Sequence, residues 1–238
     1  MKDKYYAPGP ERAKRVQELF ARIAFRYDLI NDLQSLGLHR LWKRRLVLES
    51  RISSGLRTLD LCCGTGDLAV RFAKECATVF ACDFSPQMLA QARRRLGQDA
   101  ELVQADALHL PFDSQQFDVI AIGYGLRNLA DFEQGLSEMH RVLKRGGRLL
   151  ILDFGRPANL LWRTLYFSYL RVVVPLFGFI FCGDAAAYAY IIESLKNYPA
   201  QQGIAEMLGN LGFHVEVTNF LGGIMSLHAA AKPSENIA

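Results

Sequence analysis

The fold is decided by one stretch of the sequence, Arg57-Thr-Leu-Asp-Leu-Cys-Cys-Gly-Thr-Gly-Asp67. Its first half is a short apolar run, which is typical of a strand buried on both faces of a parallel sheet. Gly64 and Gly66 follow, and then a segment that is predicted to be helical from Asp67 to Cys76. Glycines between a strand and a helix allow a tight turn and let a ligand approach the backbone. The stretch therefore predicts a nucleotide-type cofactor site at the carboxyl end of a strand.

Strands and helices alternate along the rest of the chain. The further predicted strands are Thr78–Asp83, Glu101–Gln104, Phe117–Gly123 and Gly147–Phe154, and the helices between them are Ser85–Gly97 and Asp131–Leu143. This alternation indicates a doubly wound parallel sheet. Helix Pro199–Leu211 precedes strands His214–Asn219 and Ser226–Ala231, whose connection is too short for a crossover and predicts antiparallel pairing. The sequence predicts one α/β domain, residues 1–238, with a seven-stranded sheet and helices on both faces.

The N-terminal segment, residues 10–51, is predicted to be a helical cap over a substrate, with breaks near Tyr27–Asn31 and Gly37. It is basic, with ten Lys and Arg against five acidic residues from Glu11 to Arg51. Such a segment favours an anionic membrane surface, and a solvated helix face is the alternative. Lys43-Arg44-Arg45 is predicted to be a solvated face. The whole chain has a net charge of only +4, which does not indicate a nucleic-acid partner.

A second segment, residues 158–198, is an apolar and mostly helical insert. Its longest apolar run, Leu160–Cys182, contains Arg163, Arg171 and Pro175. These interruptions predict a helix that is buried or lies at a membrane surface and does not span it. The insert can form an apolar groove for a substrate tail, a lid over the core or a homodimer interface, and all three interpretations stay open.

Cysteine usage bears on the compartment. The chain has five cysteines, without a Cys-x-x-Cys pair or a His and Cys cluster at zinc spacing. This predicts reduced thiols in a cytoplasmic protein and no metal site. Residues 1–10 lack an apolar signal core, so secretion is not predicted.

Acidic residues favour S-adenosylmethionine over a dinucleotide. The segment Gly64-Thr-Gly-Asp-Leu-Ala69 also satisfies the loose dinucleotide pattern, so a dinucleotide oxidoreductase is an alternative. Asp67 lies in the first turn of the predicted helix, where a carboxylate repels a pyrophosphate but suits the ammonium and sulfonium groups of S-adenosylmethionine. With five parallel strands and a terminal antiparallel pair, these features indicate the class I, Rossmann-like fold of S-adenosylmethionine-dependent methyltransferases.

The predicted cofactor-binding residues lie near strand ends. Asp83 closes the second strand, where a carboxylate can accept hydrogen bonds from both ribose hydroxyls; capping of the next helix is the alternative. Asp106 and Ala107 can meet an adenine edge with a carboxylate and a backbone N–H, or form a turn. Asp60 can orient the glycine loop or touch the methionyl end. The full set is Asp60, Gly64, Thr65, Gly66, Asp83, Phe84, Asp106, Ala107 and Gly123.

Several segments together resemble the UbiE/MenG family, the ubiquinone/menaquinone biosynthesis C-methyltransferases. They are Tyr27-Asp-Leu-Ile-Asn-Asp32, Ser35-Leu-Gly-Leu-His-Arg-Leu-Trp-Lys-Arg44, Leu59-Asp-Leu-Cys-Cys-Gly-Thr-Gly-Asp67, Leu110-Pro-Phe112, Phe117-Asp118, Tyr124-Gly-Leu-Arg-Asn128 and Arg141-Val-Leu-Lys-Arg-Gly-Gly-Arg-Leu149. The resemblance runs from about Arg15 to Ala231. The sequence departs from the family pattern at Arg145, at Asp153-Phe-Gly155 and at Gly123, where the family usually has Pro, Glu-Phe-Ser and Ser.

The resemblance implies methylation of a ring carbon of a demethylated polyprenyl naphthoquinol, demethylmenaquinol, with S-adenosylmethionine as the methyl donor. The alternatives are a polyprenyl benzoquinol of ubiquinone biosynthesis, a phylloquinone-type naphthoquinol, and a cofactor-binding protein without turnover. A long-tailed quinol resides in the bilayer. We therefore expect a cytoplasmic protein that binds peripherally to the inner face of the cell membrane.

Arg127, Asn128 and Tyr27 are the predicted catalytic residues. Arg127 can stabilise a developing phenolate, and a surface ion pair with Asp131 is the alternative. Asn128 can position a water that carries the proton away, and Tyr27 can hydrogen-bond a quinol oxygen or pack as a core aromatic. His39 can act as a base, although a packed histidine with satisfied nitrogens is the preferred interpretation.

Overall fold

A seven-stranded sheet organises the part of the chain that the computed structural model describes, residues 11–75, 78–182 and 186–234. The strands are β1 (Arg57–Leu61), β2 (Thr78–Asp83), β3 (Ala100–Gln104), β4 (Phe117–Gly123), β5 (Leu143–Phe154), β6 (His214–Phe220) and β7 (Met225–Ala231). Their order is β3-β2-β1-β4-β5-β7-β6. Strands β1 to β5 are parallel, and β7 is antiparallel to β5 and β6. The predicted sheet and its terminal antiparallel pair are confirmed.

Helices cover both faces of this sheet, as predicted. They are α1 (Glu11–Ile23), α2 (Tyr27–Ser35), α3 (Leu38–Ser50), α4 (Asp67–Lys74), α5 (Pro86–Leu96), α6 (Phe132–Val142), α7 (Leu160–Cys182), α8 (Ala186–Lys196) and α9 (Ala200–Asn210). One core cluster buries Leu46 of α3, Phe72 of α4 and Leu96 of α5 against the sheet. A second cluster buries Met139 of α6 and Ile204 of α9 on the opposite face.

Capping side chains set where two helices begin. Ser85 Oγ accepts a hydrogen bond from Met88 N at 3.3 Å, and Pro86 occupies the first position of α5. Asp131 Oδ1 accepts a hydrogen bond from Gln134 N at 3.0 Å at the start of α6. These contacts satisfy backbone donors that have no partner inside the helix.

The N-terminal cap bends near both of the predicted positions. A 3-10 turn at Ala24–Arg26 separates α1 from α2, which begins at Tyr27 and runs without interruption through Asn31. The break predicted near Tyr27–Asn31 is therefore confirmed, and it lies just before Tyr27. Asp28 lies in the first turn of α2, where a carboxylate favours a helix start because it complements the helix dipole. The second bend is at Leu36 and Gly37, with φ of 50° and 77°, so the break predicted at Gly37 is confirmed.

The insert consists of α7 and α8 and packs on the N-terminal cap. Leu19 of α1 lies in one buried cluster with Tyr166 and Leu170 of α7. Tyr169 Oη donates a hydrogen bond to Gln34 O at 2.9 Å and so ties α7 to α2. Among the described residues, no helix is both long and apolar enough to cross a bilayer.

Several predicted boundaries differ from those in the structure by one residue, and two differ by more. Strand β5 begins at Leu143, before the predicted start at Gly147, because Leu143 pairs with Phe117 across a register shift in β4. Helix α4 ends at Lys74, whereas its predicted end, Cys76, lies outside the described residues. The N-terminal residues 1–10 lie outside them as well.

Candidate active site

Two cavities lie side by side near the carboxyl ends of the parallel strands. One of about 370 Å³ follows the loop between β1 and α4, and is called here the glycine-loop cavity. The other, of about 470 Å³, is lined by residues of α1, α2, α3 and α7, and is called the apolar cavity. Both volumes are typical of small-molecule sites. Phe20, Tyr27 and Tyr124 line both cavities, so the two cavities share one wall.

Asp83 lines the glycine-loop cavity at the end of β2. Its Oδ2 accepts a hydrogen bond from Gly64 N at 2.8 Å, and its Oδ1 accepts one from Ser85 N at 2.8 Å. Burial raises the pKa of this carboxyl, and the backbone hydrogen bonds oppose that shift. Helix α5 is capped by Ser85. Asp83 therefore fixes the glycine loop and remains part of the cavity wall.

Five other predicted cofactor-binding residues also line this cavity: Gly64, Phe84, Asp106, Ala107 and Gly123. Asp106 Oδ1 accepts a hydrogen bond from Leu108 N at 2.9 Å, which is the turn geometry named as its alternative role. Phe84 O accepts a hydrogen bond from Gln17 Nε2 at 3.2 Å. Helix α1 therefore closes over the rim of the cavity.

Three predicted cofactor-binding residues shape the loop from behind, and the described wall of the glycine-loop cavity does not include them. Asp60 accepts a hydrogen bond from Ala69 N at 2.9 Å, and burial raises its pKa to about 7. Thr65 Oγ1 donates to Asp28 Oδ1 at 2.9 Å and so joins the loop to α2. Gly66 has a φ of +80°, and a Cβ atom there would lie 2.9 Å from a side chain of α5. Asp60 thus holds the first turn of α4, directly after the glycine loop.

Asp67 and Lys43 overturn two predictions. Asp67 Oδ2 accepts a hydrogen bond from Lys43 Nζ at 2.9 Å, and Arg95 Nη2 lies 3.6 Å from its Oδ1. The interpretation of Asp67 as a partner for a cationic ligand is therefore wrong, because helix cations already neutralise it. Lys43 is 6% exposed, so its assignment to a solvated face is also wrong, although Arg44 and Arg45 are exposed. The pair holds α3 of the cap against α4.

The apolar cavity contains buried polar atoms within a mainly aromatic and aliphatic wall. Lining residues with a buried side-chain atom that has no hydrogen-bond partner in the described part of the chain include Asn31 (Nδ2), Gln34 (Nε2), His39 (Nδ1), Tyr124 (Oη) and Tyr166 (Oη). Buried polar groups nearly always have partners in folded proteins. The cavity therefore suits a ligand that is largely apolar but carries a few hydrogen-bonding groups.

Arg127 lines the apolar cavity and is 6% exposed. Its Nη1 donates to Tyr124 O at 2.5 Å and lies 3.2 Å from Asp153 Oδ1, while its backbone N donates to Asp153 Oδ2 at 3.1 Å. The guanidinium lies over the Phe154 ring, 4.7 Å from its centroid. The alternative of a surface ion pair is wrong, since Arg127 turns inward and forms a buried pair with β5.

The other two predicted catalytic residues lie at or beside the shared wall. Tyr27 lines both cavities and packs edge-on against Phe20, with ring centroids 6.0 Å apart. Asn128 lines the glycine-loop cavity, and its Nδ2 donates to Tyr124 O at 3.4 Å. Arg127 and Asn128 are adjacent in sequence but line different cavities, with Tyr124 O bonded to both side chains.

His39 is packed, as predicted, but its two ring nitrogens differ. Nε2 lies 2.8 Å from Asp32 Oδ1, whereas Nδ1 is buried and finds no partner within the described ranges. The interpretation of a histidine with both nitrogens satisfied is therefore wrong. Burial lowers the pKa of His39, and the hydrogen bond with Asp32 opposes part of that shift.

Comparison with known proteins decides the family. The ubiE/COQ5 methyltransferase family matches residues 10–232. The chain belongs to this family. The ubiquinone/menaquinone biosynthesis C-methyltransferase UbiE of Azotobacter vinelandii is 42% identical over 235 residues, covering 95% of this chain and 93% of the relative. The protein of the same name from Francisella tularensis subsp. novicida is 40% identical over 234 residues, or 94% of each chain. The resemblance found in the sequence is confirmed, and the relatives' name covers both quinones.

Solved structures share the fold of this ubiE/COQ5 family member. A SAM-dependent methyltransferase from Aquifex aeolicus matches 86% of this chain and 97% of its own, with a TM-score of 0.59 and 15% identity. Phosphoethanolamine N-methyltransferase 2 of Haemonchus contortus, in complex with S-adenosyl-L-methionine, matches 81% of this chain and 52% of its own, with a TM-score of 0.63 and 19% identity. The predicted class I, Rossmann-like fold of S-adenosylmethionine-dependent methyltransferases is confirmed.

Sequence reasoning missed two residues of the candidate site, Tyr124 and Asp153. Tyr124 follows β4 directly and has a φ of +64°, which turns the chain toward both cavities. Asp153 lies near the end of β5 and pairs with Arg127. Position at the carboxyl edge of the sheet was the available signal for both, since ligands bind at that edge in open α/β sheets.

Proposed function

We propose that this protein transfers the methyl group of S-adenosylmethionine to a ring carbon of a demethylated polyprenyl naphthoquinol, converting demethylmenaquinol to menaquinol. The observation that carries the proposal is the wall shared by the two cavities. Methyl transfer requires the donor and the acceptor carbon to be held in contact and in line. Phe20, Tyr27 and Tyr124 lie between a cavity with acidic strand ends and a larger apolar one. Family membership supports the quinol class.

The glycine-loop cavity fits S-adenosylmethionine. Asp83 can accept hydrogen bonds from ribose hydroxyls in addition to those from the loop, since each carboxylate oxygen has two lone pairs. Asp106 and Ala107 follow β3, where they can meet the adenine. Gly123 lines this cavity, and a Cβ atom there would approach Leu68 Cδ1 to 3.0 Å. When bound, S-adenosylmethionine supplies an electrophilic methyl group.

The apolar cavity suits a hydroquinone with a prenyl tail. Each buried methylene group contributes about 0.8 kcal/mol, so a long tail binds strongly to an apolar wall. Arg127 stabilises the phenolate that develops as the ring carbon becomes nucleophilic. Tyr27 hydrogen-bonds a quinol oxygen, and Asn128 positions a water on the cofactor side. The helical cap keeps bulk water from the reacting groups.

A turnover assay separates the naphthoquinol from the benzoquinol. Purified protein is given methyl-labelled S-adenosylmethionine with demethylmenaquinol or with the demethylated benzoquinol, each carrying the same short prenyl tail. We expect a higher kcat/KM with the naphthoquinol. Label on the benzoquinol alone would assign the protein to ubiquinone biosynthesis. Label on neither quinol, with S-adenosylmethionine bound normally, would show a cofactor-binding protein without turnover.

Asp83→Ala is expected to weaken S-adenosylmethionine binding by about 1.5–3 kcal/mol while the protein stays folded. The carboxylate makes charge-assisted hydrogen bonds, and its loss also releases Gly64 N and Ser85 N. Isothermal titration calorimetry measures the affinity, and thermal unfolding checks the fold. Asp113→Ala is the matched control, because Asp113 is exposed. Equal affinities of the parent and Asp83→Ala would remove Asp83 from the cofactor site.

The rim of the apolar cavity supports peripheral attachment to the inner face of the cell membrane. Leu36, Leu165 and Leu221 line the cavity and are 83%, 54% and 49% exposed. Arg40 of the same cap has an exposed side chain, and Arg171 of α7 is exposed too. An apolar rim beside basic side chains can bind an anionic bilayer, and each Lys or Arg near the surface contributes about 1 kcal/mol to the binding free energy. A quinol can then enter the cavity from the bilayer.

Vesicle flotation tests this attachment. We expect binding to anionic vesicles that falls but persists at high salt, because salt screens the charges and leaves the apolar contribution. Leu165→Asp should reduce the binding. Leu48→Asp should not, since Leu48 is 63% exposed and is absent from the described wall of the apolar cavity. Failure to bind vesicles at low salt would refute the proposal and favour a homodimer interface. A protein that only detergent releases from the vesicles would instead be integrated into the bilayer.

A further inference from the structure

An aspartate and a histidine form a connected pair at the wall of the apolar cavity. His39 Nε2 lies 2.8 Å from Asp32 Oδ1, and Arg40 holds the carboxylate through its Nε at 2.8 Å and its Nη2 at 2.5 Å. His39 is 5% exposed and lines the cavity. Its Nδ1 is buried, and no described residue bonds to it. One nitrogen is therefore fixed by a carboxylate while the other is left for a ligand.

The hydrogen bond fixes which ring nitrogen carries the proton. The Arg40 guanidinium lowers the pKa of Asp32 and keeps that carboxyl ionised. An ionised carboxylate accepts hydrogen bonds and does not donate them, so the neutral ring carries its proton on Nε2. Nδ1 then carries a lone pair with no described partner, on a side chain that lines the apolar cavity, and that lone pair is a proton acceptor. Burial favours this neutral form, because it lowers the pKa of His39.

The pair lies near the wall that the two cavities share. Asp32 follows Tyr27 by five residues on α2, which is about 7.5 Å along a helix. On α3, Lys43 follows His39 by one turn and lies 5.7 Å from the centroid of the Tyr124 ring. Tyr27 and Tyr124 both belong to the shared wall. The helix of Asp32 and the helix of His39 thus each carry a residue at or beside the shared wall, where the quinol ring would react.

We infer that His39, oriented by Asp32, is the base that takes the phenolic proton of the quinol. The inference rests on the proposed function, because it needs a hydroquinone in the apolar cavity. Arg127 cannot fill the role, since an arginine stays protonated in proteins, and its guanidinium is paired with Asp153. The two residues have different roles. His39 accepts the proton, and Arg127 stabilises the negative oxygen that remains.

The bonds and protons of the proposed step can be followed in order. The phenolic O–H bond breaks, its proton forms an N–H bond with His39 Nδ1, and the electron pair stays on the oxygen. That pair moves into the ring and makes the ring carbon nucleophilic. The carbon would then take the methyl group as the bond between this methyl and the sulfonium sulfur breaks, with the electron pair of the broken bond left on the sulfur. The methylated carbon then gives its own proton to solvent, and His39 returns its proton to the oxygen. One proton is released overall, and the histidine ends neutral.

His39→Gln is expected to lower kcat by about 10²–10⁴-fold, the usual contribution of a general base, while S-adenosylmethionine affinity stays the same. Asp32→Asn keeps the imidazole but removes the carboxylate, and should lower kcat as well. Imidazole added to His39→Ala should restore part of the rate. His140→Gln is the matched control: burial also lowers the pKa of His140, but its ring packs on Phe213 away from both cavities. This control should keep the parent kcat.

The dependence of kcat/KM on pH separates a base from a structural histidine. The parent should lose kcat/KM as pH falls through the His39 pKa, and His39→Gln should lack this acidic limb. The charged groups facing His39 are Asp32 of α2, Lys43 of its own helix and Asp67 of α4, and the last two neutralise each other. Nitrogen-15 NMR of the free protein should show a proton on Nε2 and none on Nδ1, whatever the turnover.

The outcomes distinguish the two proposals. A parent that methylates a quinol, together with a His39→Gln variant that keeps its kcat and its acidic limb, would overturn the base and leave the proposed function intact. A proton on Nδ1 in the NMR spectrum would also overturn it. A parent that binds S-adenosylmethionine but methylates neither quinol would instead overturn the proposed function.

Discussion

Arg127→Ala is expected to lower the free energy of unfolding by about 3–5 kcal/mol and to lower kcat by on the order of a hundredfold. The loss of stability follows from the buried ion pair, in which Asp153 is 1% exposed and Arg127 is 6% exposed. Removing the arginine leaves a carboxylate buried without its cation, which costs more than the pair itself contributes. The loss of turnover follows from the phenolate stabilisation proposed for Arg127.

A double variant separates these two effects. Arg127→Ala/Asp153→Asn removes the orphaned charge. The backbone N of Arg127 and of Phe154 donate to different oxygens of Asp153, so the single amide oxygen of the asparagine can keep one of these two hydrogen bonds. Urea unfolding should show that the double variant recovers much of the lost stability. Its kcat should stay as low as that of Arg127→Ala. Recovery of kcat together with stability would show that Arg127 acts through the fold and not on the substrate.

The fold was predictable because its signals are local. Buried strands appear as short apolar runs, and Leu59, Ile120 and Leu150 are all fully buried. Glycines and caps mark where the strands end and the helices begin, as at Ser85 for α5. The predicted start of β5 was wrong because the local sequence there is compatible with two structures. The segment Lys144-Arg-Gly-Gly147 resembles a turn, yet β5 begins before it because Leu143 pairs with Phe117.

The site was predictable in position but not in its pairings. Asp83, Asp106 and Gly123 line one cavity, because the carboxyl ends of parallel strands meet at one edge. The partners of the buried charged side chains could not be predicted in this way, because they come from distant parts of the chain. Lys43 pairs with Asp67, 24 residues away, and Arg127 pairs with Asp153, 26 residues away. Helix packing selects these partners, and neither composition nor spacing within one element reveals them.

The charge pairs also change how the cap is understood. Lys43 of α3 bonds to Asp67 of α4, and Asp28 of α2 bonds to Thr65 of the glycine loop and to Arg95 of α5. The basic residues of the N-terminal segment therefore divide into two groups. Some, such as Lys43, attach the cap to α4, while others, such as Arg44, have exposed side chains that the proposed membrane attachment would use.

Gly155→Ser tests whether a departure from the family pattern is required by this structure. The family usually has Ser here, but a Cβ atom at Gly155 would overlap the carbonyl oxygen of Gly223. Gly155 is buried, and its N donates to Ile224 O at 2.8 Å. The backbone on both sides is therefore held in place and cannot yield as a side chain would. We expect a loss of about 3 kcal/mol in the free energy of unfolding, as for an overpacked core.

Gly123→Ser is the matched control, since the family usually has Ser at that position too. There the nearest atom to a new Cβ would be Leu68 Cδ1, at 3.0 Å. This atom is the far end of a side chain that can change its rotamer, so the loss should stay below about 1 kcal/mol. Urea unfolding of both variants gives the comparison. Equal stability of Gly155→Ser and the parent would mean that the Gly222–Gly223 segment yields, and that Gly155 is not fixed by packing.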